Sequence, residues 1–186
     1  MMEVRDLGFG VREIVPRRHG DARGYLAETW HRRRFAEAGL DADWVQENQS
    51  FSAHRHVLRG LHLQIRPMEQ AKLVRVLRGS VFDVAVDVRR GSESFGKWVS
   101  CNLSAEVFNQ LFIPAGFAHG FLTLEPGVEV SYKVSAAYAP ACERAIAWDD
   151  PDIAIAWPLG GNERPILSDK DGAAASLASI AASGEI

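Results

Sequence analysis

Between residues 73 and 103 the chain reads LVRVL, RGS, VFDVAVDV, RRGSES and KWVSCNL, which is a series of short apolar runs separated by turn-forming residues. That punctuation predicts antiparallel β-strands joined by tight turns. Within VFDVAVDV the side chains alternate, with Phe82, Val84, Val86 and Val88 on one face and Val81, Asp83, Ala85 and Asp87 on the other. The second face is therefore partly acidic. Further runs at QLFIP, HGFLTL and VEVSYKV, again divided by proline and glycine, continue the series at the spacing of a sandwich or barrel. The expected fold class is all-β. Helical signal is confined to the margins: HRRRFAEAGL, residues 31 to 40, predicts a short helix closed by Gly39, and the alanine-rich GAAASLASIAASGEI at the C-terminus predicts a terminal helix or a frayed tail.

A length of 186 residues allows one sizeable core, and no repeat or low-complexity linker divides it. We expect a single domain over residues 1–172, including an N-terminal strand arm, and a tail over 173–186. The balance of 21 Lys and Arg against 24 Asp and Glu argues against nucleic acid or an anionic membrane as the main partner and for a small molecule. The opening MMEVRDLGFGVREIV has no apolar segment of signal-peptide length, and no later stretch approaches the roughly 18 apolar residues of a membrane span. A cytoplasmic location is expected. Cys101 and Cys142 lie in separate segments without metal-site spacing, which suits two inert thiols in a reducing compartment.

RGLHLQ, residues 59–64, places a titratable ring between two leucines on an apparent strand. Alone, such a histidine is more often a hydrogen-bonded core residue than a catalyst. Two segments give it context. GLHLQIRPMEQAKLVRVLRG contains His62, Gln64 and Glu69 before Gly79, and IPAGFAHGF contains Pro114, Gly116 and His119. Together they resemble the two signature motifs of the cupin superfamily, which implies a jelly-roll barrel with short peripheral helices and a pocket into which His62 and His119 face. Many cupins hold a divalent metal with an HxH pair, a glutamate and a third histidine. Here Gln64 stands at the second position of the pair, and a neutral amide is a poor ligand for iron, zinc or nickel. The expectation is a pocket without metal or other cofactor. A metal-dependent cupin oxygenase using His62, Glu69 and His119 remains the competing reading.

Longer matches narrow the family. HGDARGYLAETW, VQENQS, VLRGLHLQ, EQAKLVRVLRGSVFDVAVDVRRGSESFGKW, LFIPAGFAHGF, VSYKVSAAYAP, IAWDDPDIAIAWP and ILSDKD are collinear from about residue 5 to residue 171. Together they resemble the dTDP-4-dehydrorhamnose 3,5-epimerase family. The resemblance implies a cofactor-independent isomerase that converts dTDP-4-dehydro-6-deoxy-D-glucose to dTDP-4-dehydro-L-rhamnose. A 3-only or 5-only epimerase of another deoxysugar pathway is the near alternative, and a non-catalytic nucleotide-sugar binding protein is a more distant one. Epimerisation beside a ketone needs a base, a donor to the enolate oxygen and an acid on the opposite face. The resemblance implies His62 as base, Asp171 as its orienting carboxylate with Asp169 as the competing choice, Tyr132 as acid and Lys72 as enolate stabiliser. Tyr138 is a lesser candidate for the acid.

For substrate binding the resemblance implies Arg23, Glu28, Gln46, Asn48, Arg59, His119, Glu143 and Lys170, with His119 positioning the sugar or polarising its ketone. Guanidinium forks suit the oxygens of a pyrophosphate. It also implies a homodimer in which the N-terminal arm crosses to the neighbouring subunit, so that Arg23 and Glu28 serve the partner's site. The segment FSAHRH, residues 51–56, is one residue longer than the family pattern, which leaves the placement of Gln46 and Asn48 open. His54 and His56 within it read as loop residues despite their HxH spacing. Asp83 is a candidate supporting residue whose direction the alternation alone does not fix.

Overall fold

The computed structural model describes residues 2–186. Two antiparallel sheets form the body. One has six strands, in the order β1 (Glu3–Gly8), β2 (Val11–Val15), β10 (Gln110–Ile113), β7 (Lys72–Arg78), β12 (Val128–Val134) and β5 (Gln46–Ser52). The other has five, in the order β13 (Glu143–Ala145), β6 (Leu58–Gln64), β11 (Phe117–Thr123), β8 (Ser80–Asp87) and β9 (Trp98–Ser104). Neighbours in space are mostly distant in sequence, which is the crossing connectivity of a jelly roll. A separate hairpin, β3 (Arg18–Asp21) with β4 (Gly24–Ala27), forms the arm.

The β8 alternation explains how the layers stack. Val81 and Ala85, from the partly acidic face, join Val74, Val76, Leu103, Leu111, Val128 and Val130 in the cluster between the sheets. The apolar face of the same strand is buried as well: Val84 and Val86 pack with Leu61, Leu63, Ile146, Leu177 and Ile180 on the outside of the five-stranded sheet. Leu177 and Ile180 belong to α3 (Leu177–Ala182). Burying two such side chains contributes roughly 3–6 kcal/mol, enough to hold a six-residue helix that would not persist alone. The alanine-rich end is thus part of the packed structure. On the far side of the six-stranded sheet, α1 (Arg32–Glu37) buries Phe35 against Ile14, Leu73 and Phe112. It ends at Gly39, whose φ of +73° accommodates the left-handed turn. The short helix α2 (Asp169–Gly172) follows the last loop.

One close approach sets the geometry of the site. β6 and β11 pair with His62 opposite His119, and the register shifts between His119 and Phe121. At that shift a Cβ on Gly60 would lie 2.5 Å from the Gly120 Cα and 2.8 Å from the His119 carbonyl oxygen. Gly60 also has φ +130°, where side chains are strained. Gly60→Ala is therefore expected to cost about 3 kcal/mol or more. For a chain of this size that lowers Tm by about 10 °C, and differential scanning calorimetry would read it; an unchanged Tm would contradict the close packing. Among the described residues no helix is long and apolar enough to cross a membrane.

Candidate active site

A cleft of about 380 Å³ gathers side chains from both sheets. β6 supplies Arg59 and His62, β11 supplies His119, β7 supplies Lys72, β12 supplies Tyr132 and β5 supplies Gln46 and Asn48. Glu143 enters from β13, and Ser168, Lys170 and Asp171 enter from the start of α2. Ten of the twelve sequence-predicted site residues thus line one cleft. Asp169, two residues before Asp171, is exposed and is not among the residues that line it.

His62 Nε2 lies 2.6 Å from Asp171 Oδ1. The carboxylate accepts, so Nε2 carries the proton and Nδ1 is the nitrogen free to take another. Asp171 is nearly fully buried, while the His62 side chain is about one-third exposed, at 31%. Burial pushes the Asp171 carboxyl up, but bonds from His62, Ser168 and the Gly60 backbone outweigh it, and the net shift is downward. Asp171 therefore stays ionised beside the imidazole. Ser168 caps α2 by accepting from the Asp171 N–H at 3.2 Å, which fixes the backbone that carries the carboxylate. Leu61 and Leu63, flanking His62, pack into the outer cluster, with Leu63 also reaching the cleft wall, and alternation presents the ring to the cleft.

A second pair lies deeper. His119 Nε2 is 2.9 Å from Asp83 Oδ1, and both side chains are buried. Burial drives the His119 pKa down, with Lys72 and His62 acting in the same direction and Asp83 opposing, so this ring is neutral. Asp83 Oδ2 is buried without a partner. Lys72 is also buried, at 6% exposure, and its Nζ donates to the His62 carbonyl at 3.1 Å. Desolvation lowers its pKa from 10.5 to about 8, and the charges of Asp83 and Glu143 limit the drop. A cation in this setting is an electrostatic donor with little competing water.

Tyr132 sits across β12 from Asn48 on β5 and Val74 on β7. Burial raises its pKa, assisted by Glu143 and opposed by Arg59, so the phenol keeps its proton at neutral pH. At the rim, Glu143 accepts from Lys170 Nζ at 2.6 Å and from the Tyr138 hydroxyl at 2.9 Å. Gln46 Nε2 donates to Asn48 Oδ1 at 2.8 Å, and its own carbonyl accepts from the Tyr138 N–H at 2.9 Å. The longer 51–56 segment therefore leaves Gln46 and Asn48 in the cleft. Arg59 Nη2 donates to the Phe51 carbonyl at 3.0 Å. Sequence reasoning missed Ser50, Gln70 and Phe121 as lining residues. The Ser50 hydroxyl is buried without a partner, and its alternation with Asn48 on β5 was the available signal.

The residues do not fit a cupin metal. Gln64 donates to the carbonyls of Met68 and Ala137 and accepts from the Ala139 N–H, so its amide is fully used in holding two loops. Glu69 pairs with Arg66 at 3.1 Å and does not line the cleft. Each of the two histidines already faces its own carboxylate. Arg23 and Glu28 are likewise outside the cleft of their own chain: Arg23 pairs with Asp21 on the exposed hairpin, and Glu28 pairs with Arg34.

Neutral and charged donors set around one ionised dyad suit proton movement on a small bound molecule, which makes the chain an isomerase built on the cupin barrel. A family model described as dTDP-4-dehydrorhamnose 3,5-epimerase matches residues 9–179. A protein of that name from Pseudomonas aeruginosa is 54% identical over 157 residues, covering 84% of each chain. The Mycobacterium tuberculosis epimerase structure is similar with a TM-score of 0.94 at 43% identity, covering 100% of this chain and 93% of that one. A Legionella pneumophila structure, in complex with dTDP-4-keto-L-rhamnose, gives a TM-score of 0.92 at 44% identity, covering 98% and 96%. The chain belongs to the dTDP-4-dehydrorhamnose 3,5-epimerase family.

Proposed function

We propose that the protein epimerises dTDP-4-dehydro-6-deoxy-D-glucose at C3 and C5, giving dTDP-4-dehydro-L-rhamnose without a cofactor. The observation that carries this reading is the His62–Asp171 dyad with one ring nitrogen unengaged, in the cleft that also holds Tyr132 and Lys72. The 4-keto group acidifies the C–H bonds on either side of it. His62 Nδ1 takes the C–H proton; the electron pair moves to the ketone oxygen, and Asp171 stabilises the imidazolium so formed. Lys72, as ammonium, offsets the charge on the enolate oxygen, while neutral His119, whose one N–H is held by Asp83, positions the sugar. Tyr132 returns a proton to the opposite face of the same carbon. The phenolate regains its proton and the imidazolium loses one to solvent before the second carbon reacts.

Arg59, Gln46, Asn48, Glu143 and Lys170 form the nucleotide end of the cleft, with Arg59 and Lys170 supplying positive charge for the pyrophosphate. Arg23 and Glu28 serve the site of a neighbouring subunit, in a homodimer that exchanges the β3–β4 arm. The exposure of that hairpin, including Leu26 at 78%, supports this arrangement. Residues 1–172 act as one cupin-type domain against which the 173–186 tail packs through Leu177 and Ile180, and the enzyme works in the cytoplasm.

The test is proton NMR of the dTDP-4-keto sugar incubated with the protein in deuterated water. Loss of both the H3 and H5 signals is expected. Loss of one alone would identify a single-site epimerase, and exchange at neither would overturn the proposal.

A further inference from the structure

The approach to β6 contains a histidine that this mechanism does not use. His56 has a left-handed backbone, φ +61°, yet its side chain is buried, with 9% of the residue exposed. That conformation is uncommon for a residue with a ring and favours glycine. Its Nε2 is buried without a hydrogen-bond partner, and Nδ1 lies 3.5 Å from Glu163 Oε2. Two unfavourable features coincide at one residue: glycine would remove the first, and an apolar side chain the second. Strain of this kind persists where the surroundings hold it, and it concentrates near functional sites.

The surroundings here connect both halves of the dyad. The His56 N–H donates to the Thr123 carbonyl at the end of β11, and its carbonyl accepts from the Ile166 N–H at 2.7 Å. Val57 bridges Ile166 in parallel, and the Leu58 N–H donates to the Ile166 carbonyl. From this crossing one strand runs on as β6 to His62, and the other reaches Ser168 and Asp171 within five residues. The His56 ring meets the second strand again at Glu163, in a turn closed by the Glu163 N–H to the Gly160 carbonyl and the Gly160 N–H to Oε2.

We propose that His56 is a positioning residue for epimerisation. Set against the Glu163 turn, its ring fixes the spacing between the start of β6 and the 160–168 segment, and through them the 2.6 Å contact of His62 with Asp171. The inference rests on the roles given to His62 and Asp171 above.

His56→Gly accepts the backbone conformation while removing the ring. Relative to wild type it is expected to fold, to lower kcat about tenfold with KM within twofold, and to broaden the downfield His62 Nε2 proton resonance. Exchange at C3 and C5 should fall together, because one dyad serves both carbons. Glu163→Ala, at an exposed turn, retains the His56 side chain but removes the carboxylate it faces, and is expected to lower kcat at least threefold in the same way. A merely structural role would lower Tm and leave kcat and the resonance unchanged, and that result in either variant overturns the proposal. Wild-type protein without turnover would instead overturn the assigned reaction.

Discussion

His62→Ala is expected to lower deuterium exchange at both C3 and C5 by about 10³-fold, equivalent to roughly 4 kcal/mol of transition-state stabilisation. The variant should still fold. His62 is about one-third exposed, and its loss leaves Asp171 with the Ser168 and Gly60 interactions. Removing a hydrogen bond to a charged group costs about 2 kcal/mol, or a Tm lower by about 6 °C. The effects on rate and stability therefore separate. Binding of dTDP, measured by calorimetry, should be unchanged within a few-fold, since the residues proposed to hold the nucleotide, Arg59, Gln46, Asn48, Glu143 and Lys170, are retained. Unfolding, or exchange at the wild-type rate, would return His62 to the role of a core histidine. The dyad also predicts acid sensitivity. The Asp171 pKa is lowered in the folded state, so its stabilising contribution is present above the ordinary aspartate range and is lost as pH falls through the folded value.

The alternation in VFDVAVDV was legible as a strand, and its division into apolar and partly acidic faces holds. What it did not reveal is that the acidic face points inward. Asp83 finds His119 only because β8 pairs with β11, 36 residues away, and that register is a tertiary fact. Leu61 and Leu63 were readable as packing residues from period two alone, which left His62 on the opposite face. Asp171 lies 109 residues from His62, so no spacing argument could join them, and the family resemblance did so instead. Gly60 and Gly120 let two backbones touch, a close approach set by the β6–β11 register that the local sequence does not contain. His56 read as a loop residue because its segment is polar. Its burial comes from Glu163 and the 166 crossing, which local sequence does not contain.

Lys72→Met should make the protein more stable and nearly inactive. The buried ammonium has a pKa of about 8 in the fold against 10.5 when unperturbed. Between those values the unfolded state holds more protons, so wild-type stability rises with pH across that window. At pH 7 both states are protonated, and the full cost of burying the charge remains, on the order of 3 kcal/mol. Methionine removes that cost but leaves the His62 carbonyl without its 3.1 Å donor, a loss of about 1 kcal/mol. The net gain of about 2 kcal/mol corresponds to a Tm higher by about 4–8 °C. On the proposed role of Lys72 at the enolate oxygen, the rate should fall by about 10²–10³. The groups facing Lys72 sharpen the pH prediction: Asp83 and Glu143 support its charge, and His119 is neutral beside it. Wild-type kcat/KM should therefore decline as pH rises through about 8, where Lys72 loses its proton, and this decline should be absent from the low residual rate of the variant. A Lys72→Met protein of lower stability and full activity would place the ammonium in a structural role and remove it from the proposed mechanism.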